Sequence, residues 1–164
     1  MKTFALTLAA LLVASSASVD AGTVDDLQLQ RLALCQDSWL AWENDTARAA
    51  RFTDDFKTRF GRSASDDAGF TPKSPTSVLG WPVTQVYPES VGMGVGFSMT
   101  VNADHARVRA GVERQLGRPM ACETSEGVRS CQVELGAKKT VVLMTDQNGR
   151  AQSSLVGCYY FYRQ

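Results

Sequence analysis

This sequence has little of what catalysis or membrane residence requires. Its 164 residues hold a single histidine, and Lys+Arg and Asp+Glu balance at 17 each, so no sign of charge dominates. A neutral chain has no electrostatic basis for gripping a phosphate backbone, which excludes nucleic acid as the expected partner. The one long apolar run, Phe4–Val13, is ten residues; crossing a bilayer takes about 20, so no membrane insertion is expected. No two cysteines have C-x₂₋₄-C spacing, which argues against a zinc site. G-x-S-x-G and S-x-x-K are absent, and with them the recognised serine nucleophiles.

What is present begins with export. Met1-Lys2 precedes the apolar run, and Ala14-Ser15-Ser16-Ala17 and Val19-Asp20-Ala21 follow it. One positive charge, an apolar centre and an A-x-A-like site is the layout of a secretory signal peptide, expected over residues 1–21 with cleavage after Ala21. Cys35 lies too far beyond the run, behind Leu34 rather than a small residue, to be a lipidation site. Removing Lys2 and Asp20 with the signal leaves 143 residues at zero net charge, enough for one domain over 22–164. The expected location is periplasmic or secreted.

An even set of four cysteines in an exported chain reads as a disulfide framework with three possible connectivities. Cys122 and Cys131 flank Glu126-Gly127, a turn signal between short strand-like runs. A hairpin there sets them opposite one another, which leaves Cys35 with Cys158. On the chain-entropy account the short bridge stabilises by roughly 2.7 kcal/mol and the long one by roughly 4.9.

The pattern of apolar residues predicts an α+β fold: a helix or helix pair, then a mainly antiparallel sheet, β-β-α-β-β-β-β, stapled by two disulfides. Residues 22–61 are the helical part. Thr23 with Asp26 suggests the first cap; Leu32, Cys35, Trp39 and Trp42 share a face; Asp45 caps a stretch with Ala49, Phe52, Phe56 and Phe60 aligned, stopping at Gly61. One bent helix and two helices both fit. Residues 62–80, rich in Ser, Gly and Pro, read as a long loop. The sheet part spans 81–164. Val83–Tyr87, between Pro82 and Pro88, reads as an edge strand. From Val91 to Val101 apolar residues alternate strictly with Gly92, Gly94, Gly96, Ser98 and Thr100, a strand with one nearly bare face. That face suits close packing by a helix or another backbone, and because these glycines lie inside a strand they do not form a phosphate loop. A helix follows, capped by Asn102 or Asp104 and ended by Gly117 and Pro119. Strands near 119–124, 128–135, 139–145 and 153–162 finish the chain, and the last, Cys158-Tyr159-Tyr160-Phe161-Tyr162, is apolar on both faces as a covered central strand is.

Candidate chemistry is thin. His105 reads as a solvent-exposed first-turn residue without a nucleophile or acid partner. Asp25-Asp26, Asp54-Asp55 and Asp66-Asp67 read as solvated surface, since two-carboxylate hydrolysis needs a fixed separation across a cleft. No catalytic, metal or cofactor-binding residue is assigned. The expectation is a non-catalytic protein that binds another protein in the cell envelope, as an inhibitor or immunity-type factor does. Phe70, Trp81 and Tyr87 are its candidate contacts. The alternatives are a module binding a small ligand or envelope component on the sheet face of Met93, Phe97 and Met99, and a carboxylate-based hydrolase.

Overall fold

The computed structural model describes residues 24–37, 45–64, 69–88, 94–136, 138–145 and 152–161. Helix α1 spans Asp26–Ala33 and α2 spans Thr46–Arg59. Three short strands follow, β1 (Phe60–Arg62), β2 (Phe70–Pro72) and β3 (Ser77–Val78). Then come β4 (Trp81–Tyr87), β5 (Gly94–Val101), helix α3 (His105–Leu116), and β6 (Ala121–Ser125), β7 (Val128–Glu134), β8 (Lys139–Thr145) and β9 (Ser154–Phe161). All pairings are antiparallel, in the order β1-β2-β4-β5-β9-β8-β7-β6, with β3 on β4. The chain is thus α+β with two disulfides, Cys35–Cys158 and Cys122–Cys131. The signal sequence, Trp39, Trp42, Asp66, Asp67, Gly92 and Met93 lie outside the described residues.

Local chemistry accounts for the helix ends. Asp25, rather than Thr23, caps α1 by accepting from the Gln28 amide, and Asp45 and Asp104 cap α2 and α3 by accepting from the amides of Arg48 and Arg107. Cys35 sits in a turn after α1 with φ +56°, not on the helix face. Phe60 is extended and opens β1, so the aromatic stripe of α2 ends at Phe56. The 62–80 segment differs from its expected form as a loop: Ser and Pro deny it periodicity, yet β1, β2 and β3 fold back within it. As a result β4 is not an edge strand. It pairs with β5 on one side and with β2 and β3 on the other.

The helices pack on one face of the sheet, as the register shows. Phe97 lies opposite Cys158, Cys158 opposite Val141, and Leu143 opposite Cys131, so all share a face. On it, the Phe52 ring of α2 meets Phe97 at 6.5 Å, Cys158 bonds Cys35 beyond α1, and Cys131 touches His105 of α3. Phe97, Met99, Val141, Leu143, Val156 and Cys158 are wholly buried there. On the opposite face, Gly96 lies across from Tyr159, and a Cβ at Gly96 would fall 2.7 Å from the Tyr159 ring and 2.6 Å from the Cys158 carbonyl. At Gly96 the bare glycine face is therefore filled by a neighbouring strand and its tyrosine rather than by a helix. Burial pushes the Tyr159 hydroxyl up from its ordinary pKa, with the Ser98 side chain pulling the other way.

Polar contacts tie α1 to its surroundings. Asp26 accepts from Arg59 of α2 and, at 3.0 and 2.9 Å, from the amide and hydroxyl of Ser77 in β3. Gln30 accepts from the Leu79 amide at 3.1 Å. Beyond α1, Asp37 accepts from Gln28 at 2.9 Å and from Arg48 at 2.6 Å. Burial works to raise the Asp26 pKa, but the hydrogen bonds from Arg59 and Ser77 and the guanidinium charge outweigh it and hold the carboxyl below its usual range.

Two outcomes follow. A carboxyl depressed in the folded state stabilises it above the unfolded pKa of about 3.9 and loses that contribution as pH falls through the folded value. Asp26→Asn should therefore flatten the acid limb of a stability-against-pH curve below about pH 4, and an unchanged limb would refute the assignment. In urea denaturation, Cys35→Ser/Cys158→Ser should cost about 5 kcal/mol and Cys122→Ser/Cys131→Ser about half of that; equal losses would show that loop length is not what sets their weight.

Candidate functional site

The three residues expected to contact a partner are not brought together. Phe70 lies opposite Val86 on the helix-bearing face, where its ring meets Phe56 edge-on at 5.1 Å beneath the Arg62 guanidinium at 4.8 Å. It is chiefly a core residue. Tyr87 lies opposite Ser98 on the other face and donates its hydroxyl to Gln85 at 2.8 Å. Trp81 starts β4 at the far end of that strand from Tyr87 and is half-buried.

Trp81 has the most developed surroundings of the three. Its ring lies across α3 at Gly111, where any Cβ would approach ring carbon Cη2 to 2.6 Å. Glycine inside a helix costs about 1 kcal/mol relative to alanine, and here the missing side chain is what lets the indole reach the helix backbone. A cleft of about 310 Å³ opens beside it, lined by Gln30, Leu79, Gly80, Trp81, Arg107, Gly111, Arg114 and Gln115. Arg107, Gly111 and Arg114 stand at i, i+4 and i+7 of α3, so both arginines share the helix face that lines the cleft with the tryptophan. Both arginines are exposed. Arg107 makes an exposed pair with Asp104 at 3.1 Å, a contact that gives way readily, and Arg114 forms no ion pair among the described residues. A cleft lined by an aromatic ring and two cations can hold a carboxylate-bearing segment by stacking and charge-assisted hydrogen bonds.

A second, more open groove of about 690 Å³ adjoins at Gly80, lined among others by Asp26, Thr71, Lys73, Thr76, Pro82 and Thr84. Of the surface expected around Met93, Phe97 and Met99, Phe97 and Met99 are wholly buried beneath the helices, and Met93 lies outside the described residues. The described carboxylate pairs do not face one another across a cleft. Asp25 caps α1, Asp26 serves the Arg59 network, and Asp54 and Asp55 lie on α2, exposed and half-buried. No group of three or more His, Cys, Asp or Glu among the described residues is placed to hold a metal ion.

His105 is where the reading from sequence needs correction. It occupies the first turn of α3, as its position implies, but it is buried at 8% exposure, with Nε2 3.5 Å from the Cys131 sulfur. The turn faces the sheet, so the residue after the cap is carried inward. Burial lowers its pKa from the ordinary imidazole value, and Arg129 and Arg109 lower it further; the Leu143 backbone and Asp104 oppose them.

No family model matches the chain, and no curated protein or solved structure gives a significant match. Gly111, Arg107 and Arg114 were missed in the sequence reading. A glycine in the middle of an otherwise regular helix was the available signal, since it marks a close approach by something else.

Gly111→Val should displace the indole, destabilise the fold by about 1–3 kcal/mol and alter tryptophan emission. Arg107→Glu/Arg114→Glu should keep the fold within about 0.5 kcal/mol. A melt of each variant checks both, and a neutral Gly111→Val would refute the seating of Trp81.

Proposed function

We propose that this chain is an exported, non-catalytic binding protein that engages an acidic segment of another protein in the cell envelope or its surroundings, as an inhibitor or immunity-type factor does. The observation that carries this reading is Trp81 seated on Gly111 in a cleft that Arg107 and Arg114 also line. Trp and Arg are the residue types that dominate binding energy at protein interfaces, and they act best when their positions are fixed in advance. In a chain of zero net charge, a local pair of exposed cations favours a partner carrying carboxylates. Two formed disulfides accord with a periplasmic or secreted site of action, where thiols are oxidised, as does the signal-like start. Among the described residues no helix is long and apolar enough to cross a membrane.

A small-ligand reading is favoured by one observation, the adjoining groove of about 690 Å³, which falls within the size range of ligand pockets. The two readings separate in an affinity capture. Oxidised chain is immobilised and exposed to envelope and culture-supernatant extracts beside Arg107→Glu/Arg114→Glu and Trp81→Ala variants, each held well below its own melting temperature. A protein retained by the parent and reduced at least about tenfold by either variant, a loss of 1.4 kcal/mol or more, supports the proposal. Equal retention by the variants removes the cleft from it, and no retention by any form leaves the groove as the reading to pursue with small-molecule screens.

A further inference from the structure

Strand β6 closes one end of the sheet, and all five of its residues, Ala121–Ser125, are exposed. Cys122 therefore brings one end of the hairpin bridge to the surface, where a shallow cleft of about 100 Å³ is lined by Ala121, Cys122, Glu123, Ser130 and Gln132. The other end, Cys131, is wholly buried. Against its sulfur lies the chain's single histidine, Nε2 at 3.5 Å, with the ring almost enclosed and Nδ1 buried without a hydrogen-bond partner. A structural core does not need this arrangement: a buried polar nitrogen without a partner is a cost, and an apolar side chain in its place would avoid it. The Cys35–Cys158 bridge has both residues in the core, Cys35 at 7% exposure and Cys158 at 0%.

We propose that Cys122–Cys131 is a thiol–disulfide exchange site, open to a dithiol donor at Cys122 and assisted by His105 at Cys131. The donor's first thiolate attacks the Cys122 sulfur. A donor–Cys122 bond forms, the Cys122–Cys131 bond breaks, and its electron pair leaves on the Cys131 sulfur. His105 takes up a proton from solvent, and the imidazolium, with Nε2 facing that sulfur, pairs with the new thiolate. The neighbouring charges of Arg129 on β7 and Arg109 on α3, which disfavour a protonated imidazole in the oxidised protein, favour a thiolate here, and the Cys131 anion offsets them. A stabilised leaving thiolate speeds exchange at the sulfur it is bonded to. The donor's second thiolate then attacks its own sulfur in the mixed disulfide and releases Cys122 as a thiolate that takes a proton. The donor dithiol ends as a disulfide, and the protein gains two electrons and two protons.

The test uses the full oxidised chain under native conditions. It is treated with limiting dithiothreitol, quenched with an alkylating reagent and mapped by mass spectrometry as a function of pH. Cys122 and Cys131 should be labelled at least about tenfold faster than Cys35 and Cys158. Reduced glutathione, a monothiol, should leave its adduct on Cys122 and not on Cys131. His105→Gln should slow the reaction by about tenfold and remove an inflection from the rate–pH profile. Should that variant not fold, Arg129→Gln, on an exposed side chain, should slow it severalfold with the melting temperature kept. Reduction of both bridges at one rate, an adduct on Cys131, or a rate unchanged in the folded His105 or Arg129 variant would overturn the proposal.

Discussion

The bond between Cys35 and Cys158 joins the turn after α1 to the strand at the centre of the sheet, residues separated by 123 positions. Its importance comes from where β9 lies. The last strand of the chain is inserted between β5 and β8, so two stretches of sheet made earlier, the β4–β5 pair and the β6–β7–β8 meander, meet only through it. Ordering so distant a segment carries a large loop-closure entropy, and a covalent tie that removes it from the unfolded chain is correspondingly strong. The same tie places the end of α1 against the core. Tyr160, two residues on, donates its hydroxyl to the Asp37 carbonyl at 3.3 Å, and Asp37 receives Gln28 and Arg48. One bond thereby aligns strand, turn and two helices.

Given that alignment, the rest of the architecture is a problem of covering one sheet face. Phe52, Phe56, Leu29, Leu32, Val108 and Val112 come from three helices and bury the same row of strand residues. The second face needs less, because the described part of β5 places glycine, serine and threonine there and the Tyr159 ring occupies the space beside Gly96. The two proposed sites lie at the margins of the covered face. Trp81 sits where the end of β4 meets α3, and the Cys122 bridge sits where the sheet ends at β6. Both places pair a buried half with an exposed half, which lets a rigid scaffold hold a reactive or adhesive group in contact with solvent.

Several elements were legible before any coordinates, for local reasons. Asp45 announces a helix because its side chain satisfies an amide three residues on, and of the two caps open to α3, Asn102 and Asp104, the structure takes Asp104 for the same reason. Strict alternation through Phe97, Met99 and Val101 announces a strand because side chains alternate faces. The Cys122–Cys131 pairing is readable because a turn at Glu126-Gly127 sets the two positions opposite, and the second bridge follows by elimination. β1, β2 and β3 were not legible: strands of two or three residues have no period to detect, and they exist because β4 offers them an edge.

The sequence by itself determined the α+β class, the Asp45 cap, the alternating strand and the disulfide partners, because each depends on contacts within a few residues or on a count that leaves one answer. Only the tertiary structure decided that β4 is flanked on both sides, that Phe70 belongs to the core and Tyr87 to the opposite face, that His105 is buried against Cys131, and that Trp81 is seated on Gly111 in a cleft lined by Arg107 and Arg114. Those depend on which faces meet across the sheet and α3. Such meetings are set by packing between segments far apart in the chain, and they leave at most a single displaced signal in the sequence, here a glycine at position 111 in the middle of a helix.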